Sequence, residues 1–254
     1  MEDFRKILEE ILESNGGNGI IFLSEADFQF YLAWQIKEKL KDKGEGKVIL
    51  EYPDDIVEKD ENGKEKAKRI YYDIWVEDES RETHLIELKY RTKEQKDIMR
   101  YDRKFDLKNQ SAQDLGRYHF IKDIERLEDK TGDEKIATGK SYCIMLTNDS
   151  AYYDAERYDK RKKKDTRDRN FRIHQGAKIK QINPDEKLVW NLKSKDERRS
   201  YMGDPLEIKH EYICKWEPYC TVDGGDKKSE FKYLLLEIPP EKVDGHNHKE
   251  VNHG

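Results

Sequence analysis

The chain has 254 residues, 41% of them charged, a hydrophobic share of only 35% and a formal net charge of −5. That balance excludes an all-over basic nucleic-acid coat but not a local basic patch. No apolar run approaches the ~20 residues of a membrane span, and three cysteines with no Cys-x-x-Cys indicate neither a disulfide scaffold nor a zinc knuckle. A cytoplasmic protein with a modest core, long polar excursions and no membrane partner is the expectation.

Phe4 to Leu12 has the spacing of an amphipathic helix, with Phe4, Ile7, Leu8, Ile11 and Leu12 on one side, ending at the breaker Asn15-Gly16-Gly17-Asn18-Gly19. A second helix begins at Ser24, with Asp27 placed for a capping box and Leu23 and Phe28 spaced as a hydrophobic staple. It runs to about Leu40, and Glu25 falls on its apolar stripe with Phe28, Leu32 and Ile36. An acid in a first turn also answers the helix dipole, so two explanations of Glu25 stand together. Lys47 to Tyr52 reads as a strand closed by Pro53, followed from Asp54 to Lys68 by a charged hairpin-like loop around Asn62-Gly63.

Tyr71-Tyr72-Asp73-Ile74-Trp75-Val76 and Leu85-Ile86-Glu87-Leu88-Lys89-Tyr90 read as two strands joined by a short polar connection from Glu77 to Thr83. Side chains alternate along a strand, so Glu87 and Lys89 share a face with Leu85, and Asp73 shares one with Tyr71 and Trp75. Ile70, Tyr72, Ile74 and Val76 are expected on the opposite face. Acid-x-Lys recurs by chance in so charged a chain, but only Glu87-Leu88-Lys89 is flanked by apolar residues and preceded by an apolar strand carrying an acid. Charges inside apolar strands are costly unless paired or bound to metal.

Arg91 to Lys108 is dense in both charges, a solvated loop or exposed helix from which Arg91 and Lys93 could grip a phosphate backbone. Asn109 to about Glu128 reads as a helix with Phe120, Ile121, Ile124 and Leu127 inward. Gln113 and Arg117, with Tyr118 at the edge, extend that face, where a substrate phosphate, a metal-bound water or a structural hydrogen bond would each satisfy them. Lys140 to Thr147 is an apolar, central strand. Arg157 to Arg172 then carries nine Lys/Arg against three Asp; Arg161, Lys162, Lys163, Lys164 and Arg167 are candidate nucleic-acid contacts. Strands are expected at 187–192, 206–216 and 231–238, separated by loops at Gly203-Asp204-Pro205 and Asp223-Gly224-Gly225-Asp226. The tail after Pro240, with His246-Asn247-His248, is read as frayed and incidental.

Helix with an inward Glu, three strands, Asp73 on the second, Glu87-x-Lys89 on the third, helix, central strand: this order resembles the PD-(D/E)XK nuclease superfamily. The resemblance covers residues 20–150. It implies an α/β, restriction-endonuclease-like αβββαβ core with a mixed central sheet flanked by helices. Residues 1–19 precede it, 151–238 form a basic segment and β-rich extension of the same domain, and 239–254 are a flexible tail. By the resemblance Asp73, Glu87 and Glu25 would bind Mg²⁺, with Mn²⁺ a substitute, and Lys89 would assist the attacking water. Many RecB-like members carry a Gln with Tyr four residues on; here Gln113 is followed by Arg117 at that spacing and by Tyr118 one later. Gln113, Arg117 or Tyr118 would orient the phosphate. The implied activity is hydrolysis of DNA, possible as a homodimer, with an inactive nucleic-acid-binding protein on the same fold as the alternative. The chemistry agrees: phosphodiester hydrolysis builds negative charge on an anionic centre, which hard cations held by carboxylates offset.

Overall fold

The structure, a computed structural model, describes residues 3–41, 46–59, 63–100, 102–159, 166–181, 186–192, 202–224 and 227–240. Two helices, α1 (Phe4–Gly17) and α2 (Glu25–Lys41), precede three strands, β1 (Lys47–Lys59), β2 (Glu65–Glu77) and β3 (Thr83–Arg91). A small hairpin of β4 (Gln95–Arg100) and β5 (Arg103–Leu107) leads to α3 (Gln113–Glu128) and β6 (Ser141–Thr147). Short helices α4 (Ser150–Tyr153) and α5 (Glu156–Asp159), the two-residue strands β7 (Lys178–Ile179) and β8 (Tyr212–Ile213), and a hairpin of β9 (Trp216–Gly224) and β10 (Lys227–Ile238) complete the order.

The main sheet has the order β1-β2-β3-β6-β10-β9. Only β3 and β6 run parallel, which makes the sheet mixed. Ile86, Leu88 and Tyr90 of β3 join α1 and α2 in one core; Leu85 joins Phe120, Ile121, Ile124 and Leu127 of α3 in the other. Helices thus cover both faces, and β6, buried at every residue, lies between the two layers. Among the described residues no helix is long and apolar enough to cross a membrane.

Several elements differ from the sequence expectation for identifiable reasons. Helix α1 passes through Asn15 and Gly16, and glycine at 16 lets it approach β9 closely: a Cβ there would stand 2.2 Å from the Tyr219 carbonyl oxygen. The turn comes at Gly19, in the left-handed region at φ 65°. At the start of α2 the reciprocal cap forms, Asp27 N–H donating to Ser24 Oγ at 3.1 Å and Leu23 N–H to Asp27 Oδ2 at 2.9 Å, but Leu23 is exposed and makes no staple over buried Phe28. Pro53 does not close β1. The β1–β2 ladder continues to Lys59 and Glu65, so the expected hairpin-like segment from Asp54 to Lys68 is two paired strands over most of its length. The charged stretch after β3 contains a hairpin, not a loop or helix. In the C-terminal part, 187–192 contributes only the isolated bridge Leu188–Leu206, 206–216 holds the other half of that bridge, β8 and the first residue of β9, and Asp223-Gly224 belongs to β9. The histidine-containing tail lies outside the described residues.

Candidate active site at the divergence of two strands

Strands β2 and β3 pair from Glu77–Thr83 to Ile74–Ile86, and no further. Beyond that point β3 loses its neighbour on that side, and the amides of Leu88 and Tyr90, which would have continued the ladder, need other acceptors. Both receive a carboxylate. Leu88 N–H donates to Asp73 Oδ2 at 2.6 Å, and Tyr90 N–H donates to Glu25 Oε2 at 2.7 Å. Two acids from separate elements are therefore fixed side by side along β3, each with its second oxygen outside that bond.

The divergence has a local cause. Across from Asp73, Glu51 of β1 takes a left-handed backbone with φ 51°, and the β1–β2 ladder skips that pair. Gln29 of α2 fills the gap, its Nε2 donating at 2.7 Å to the Asp73 carbonyl and at 2.7 Å to Glu51 Oε1. Strict alternation fails here as well. Ile70 and Tyr72 pack in the same cluster as Trp75 and Leu85, whereas Ile74 and Val76 pack in the other. The expectation that Ile70, Tyr72, Ile74 and Val76 share one face is corrected: β2 changes face at Asp73, which leaves its carboxylate near the plane of the sheet.

Glu87 and Lys89 do point to one face, that of α3. Glu87 is 1% exposed and pairs with Arg126; Lys89 Nζ stands 2.5 Å from Asp123 Oδ2. Asp123 and Arg126 also lie 3.6 Å apart. The strand and helix run in opposite senses, so acid-x-cation on β3 meets cation and acid on α3 in reverse order. Arg126 further lies over the Tyr72 ring, 5.2 Å from its centroid. The Tyr72 hydroxyl and Arg126 Nε are buried without a hydrogen-bond partner.

The electrostatics follow from burial and crowding. Burial raises the Asp73 carboxyl above its ordinary value; the Leu88 amide and Lys89 oppose this, and the charges of Asp123 and Glu25 add to it. Burial, with Asp123 and Asp73 nearby, raises Glu87 well above the ordinary carboxylate range despite Arg126 and Lys89. For Lys89 burial acts against the charge, but Asp123, Glu25 and Glu87 outweigh it and hold the ammonium above its ordinary value. His119, one turn before Asp123 on α3, is lowered by burial and by the cations Arg91, Lys89 and Lys122, against the pull of Asp123.

Asp73, Glu87, Lys89 and Glu25 lie near enough for each acid or cation to act on its neighbours' charge. Asp123 and Arg126 lie outside the sequence expectation; they flank the apolar stripe of α3, and nothing in a single sequence says which strand that flank faces. Three further candidates have internal partners. Gln113 is committed to Asp149, its Nε2 donating to Oδ2 at 2.9 Å, and ties α3 to α4. Arg117 is buried and paired with Asp168 while donating to the Ala151 carbonyl at 3.2 Å, so it offers nothing to a phosphate. Tyr118 is 1% exposed, and its hydroxyl donates to the Asp204 carbonyl at 2.9 Å. Arg91 is half-buried and Lys93 exposed where β3 leaves the site. Arg161, Lys162, Lys163 and Lys164 lie outside the described residues, and Arg167 pairs with Asp114.

Among the described residues, the one trio of His, Cys, Asp or Glu side chains whose ligand atoms lie within 4.8 Å of one another is Asp78, Glu82 and His84, in the β2–β3 turn. That trio could hold a metal ion. No trio that includes Asp73, Glu87, Glu25 or Asp123 is drawn so close, because Glu87 leans to Arg126 while Asp73 and Glu25 are each anchored on a β3 amide. No family model, curated protein or solved structure matches the chain.

Proposed function

We propose that the chain is a metal-dependent nuclease of the restriction-endonuclease-like fold, hydrolysing phosphodiester bonds of DNA at the Asp73/Glu87/Lys89 site. The observation that carries the reading is the arrangement at the strand divergence: Asp73 and Glu25 held along β3 on the amides of Leu88 and Tyr90, with buried Glu87 and partly buried Lys89 on the same strand. Crowded, desolvated carboxylates whose affinity for protons is raised have the electrostatic character of a seat for a hard divalent cation. The donor set fits Mg²⁺, all oxygens, with Asp73 Oδ1 and Glu25 Oε1 outside the amide bonds and Glu87 released if Arg126 swings away. When bound, such an ion polarises a phosphoryl oxygen and acidifies water.

The rest falls to the chain. Lys89, kept protonated by Asp123, offsets the charge that grows on the phosphoryl group and orients the attacking water. Asp123 fixes where that ammonium sits. Arg91 and Lys93, leaving the end of β3, would meet the flanking phosphates. A cleft of about 350 Å³ lined by Arg169, Arg172, His174, Lys178 and Lys180 offers a second basic surface for a nucleic-acid backbone.

One observation favours a second reading, an inactive nucleic-acid-binding protein on the same fold. Glu87 and Lys89 already have internal partners of opposite charge in Arg126 and Asp123, so the site is neutralised without metal. Cleavage of single-stranded, duplex and branched DNA, with RNA alongside, in Mg²⁺ and in Mn²⁺, decides between them. Cleavage that disappears in Lys89→Ala while the fold persists supports the nuclease. Tight binding without cleavage by the wild-type protein on every substrate supports the second reading.

A further inference from the structure

We propose that the β2–β3 turn is a separate cation site, for zinc or a similar borderline divalent ion, built from His84, Asp78 and Glu82. The argument begins with the histidine. His84 is 2% exposed, and its ring is fixed by parallel stacking on Phe4, centroids 4.4 Å apart and planes within 1°. Its Nδ1 faces the Lys140 carbonyl at 2.8 Å. A carbonyl only accepts, so Nδ1 carries the hydrogen. In the neutral ring Nε2 is then a lone pair, and it faces Asp78 Oδ2 at 3.2 Å. Two acceptors aimed at each other from a buried ring require a positive charge between them. A second ring proton answers that need, and so does a metal ion. A histidine oriented by a backbone carbonyl on one nitrogen, with the other presented to carboxylates, is the arrangement of a metal ligand.

Two further features favour the metal. The ligand atoms of His84, Asp78 and Glu82 lie within 4.8 Å of one another, the spread that a small ion can bridge. The backbone opposite is cut back to make room: a Cβ on Gly139 would stand 2.6 Å from His84 Cε1, 2.9 Å from Nδ1 and 3.2 Å from Glu82 Oε2. Asp78 Oδ1 is occupied by the amides of Ser80 and Glu82, at 2.8 and 3.0 Å, which orients the carboxylate and leaves Oδ2 toward the ring. One nitrogen and two oxygens, with solvent to complete four, suit zinc, whereas Mg²⁺ and Ca²⁺ prefer oxygen throughout.

The site is distinct from the one proposed for catalysis. His84 lies opposite Val76, near the closed end of the β2–β3 ladder, and its ring packs on α1, whereas Glu87 and Lys89 face α3. The role that follows is structural: the ion would fasten the hairpin turn to α1 through Phe4 and to the start of β6 through Lys140.

The test uses the full chain, stripped with a chelator, and Zn²⁺ as the probe. Calorimetric titration and thermal melts are run on the wild type, on Asp73→Asn to remove the proposed catalytic seat, and on Glu82→Ala, which changes an exposed ligand and leaves the buried ring alone. The expected result is one equivalent bound in Asp73→Asn and at least one in wild type, each with a raised melting temperature, and an affinity at the turn at least about tenfold weaker in Glu82→Ala at an unchanged metal-free melting temperature. Co²⁺ in place of Zn²⁺ is expected to give visible bands that Glu82→Ala weakens. Equal Zn²⁺ affinity in wild type and Glu82→Ala, no binding in either, or nitrogen NMR showing both His84 ring nitrogens protonated when Zn²⁺ is in excess would each overturn the proposal. The nuclease reading can fail in cleavage assays without altering any of these outcomes.

Discussion

Lys89 Nζ and Asp123 Oδ2 lie 2.5 Å apart, and this contact between β3 and α3 sets the charge of the lysine. Burial alone would lower the lysine's hold on its proton; Asp123 reverses that and raises it above the ordinary value. Replacing Asp123 with Asn keeps the shape and removes the charge. The lysine then loses its proton at lower pH than in the wild type. Where Lys89 acts as a cation, the alkaline limb of the cleavage rate against pH is expected to move to lower pH in Asp123→Asn, with the acid limb displaced less. A profile that keeps its alkaline limb would mean that Asp123 does not set that limb through Lys89.

Arg126 is the cation on which buried Glu87 depends in the absence of metal. Removing one partner of a buried pair typically costs about 3–5 kcal/mol, because the other charge is stranded. Arg126 is itself 30% exposed, so the lower end is expected, a fall of roughly 6–12 °C in melting temperature for a chain of this size. The informative measurement is the metal-induced shift. If Mg²⁺ or Mn²⁺ occupies the Glu87 carboxylate, it replaces the lost guanidinium. Arg126→Ala is then expected to gain more from added metal than the wild type does. Equal shifts in the two proteins would place the metal away from Glu87.

Much of this arrangement is legible from residue order, and what escapes it has a physical pattern. β3 is readable because it is regular: Leu85, Glu87 and Lys89 on one face and Ile86, Leu88 and Tyr90 on the other are the direct result of period two. β2 is half-readable, because the face change at Asp73 depends on Glu51 and Gln29, from elements that the local pattern does not contain. Arg117 and Tyr118 mislead for a related reason. A polar residue continuing an apolar stripe can serve a ligand or a buried partner, and here Asp168 and the Asp204 carbonyl supply the partner from distant sequence. Asp123 and Arg126 become visible only once β3 and α3 are packed face to face.

Gly16 gives a test of the fold that leaves the site alone. Any side chain there would drive a carbon to 2.2 Å from the Tyr219 carbonyl oxygen, a backbone atom that cannot rotate away. Gly16→Ala is expected to destabilise the chain by about 2–3 kcal/mol through displacement of α1 from β9, although alanine is the better helix former. Denaturant melts measure this. The neighbouring Gly17 is the control: a Cβ placed on it would meet nothing within 4 Å, and Gly17→Ala is expected to be neutral or slightly stabilising.

At Asp73 stability and metal binding conflict. Its carboxyl is raised above the ordinary 3.8, chiefly by burial. In the unfolded chain the group loses its proton near the ordinary value, while in the folded chain it holds the proton to higher pH. Between those two values the folded state binds more protons, so stability falls as pH rises through the window and stays lower above it. Asp73→Asn retains an oxygen to accept from Leu88 N–H but carries no charge. It is expected to melt higher than the metal-free wild type near neutral pH, with the difference shrinking toward zero as pH falls to the ordinary value. Added Mg²⁺ or Mn²⁺ should reverse the order, raising the wild type and leaving Asp73→Asn nearly unmoved. The mutant must be compared in the absence of Zn²⁺, which would act at the His84 turn in both. A variant that melts lower than wild type at neutral pH without metal would show that the carboxylate charge itself holds β2 to β3, and would remove the electrostatic ground for a cation at this site.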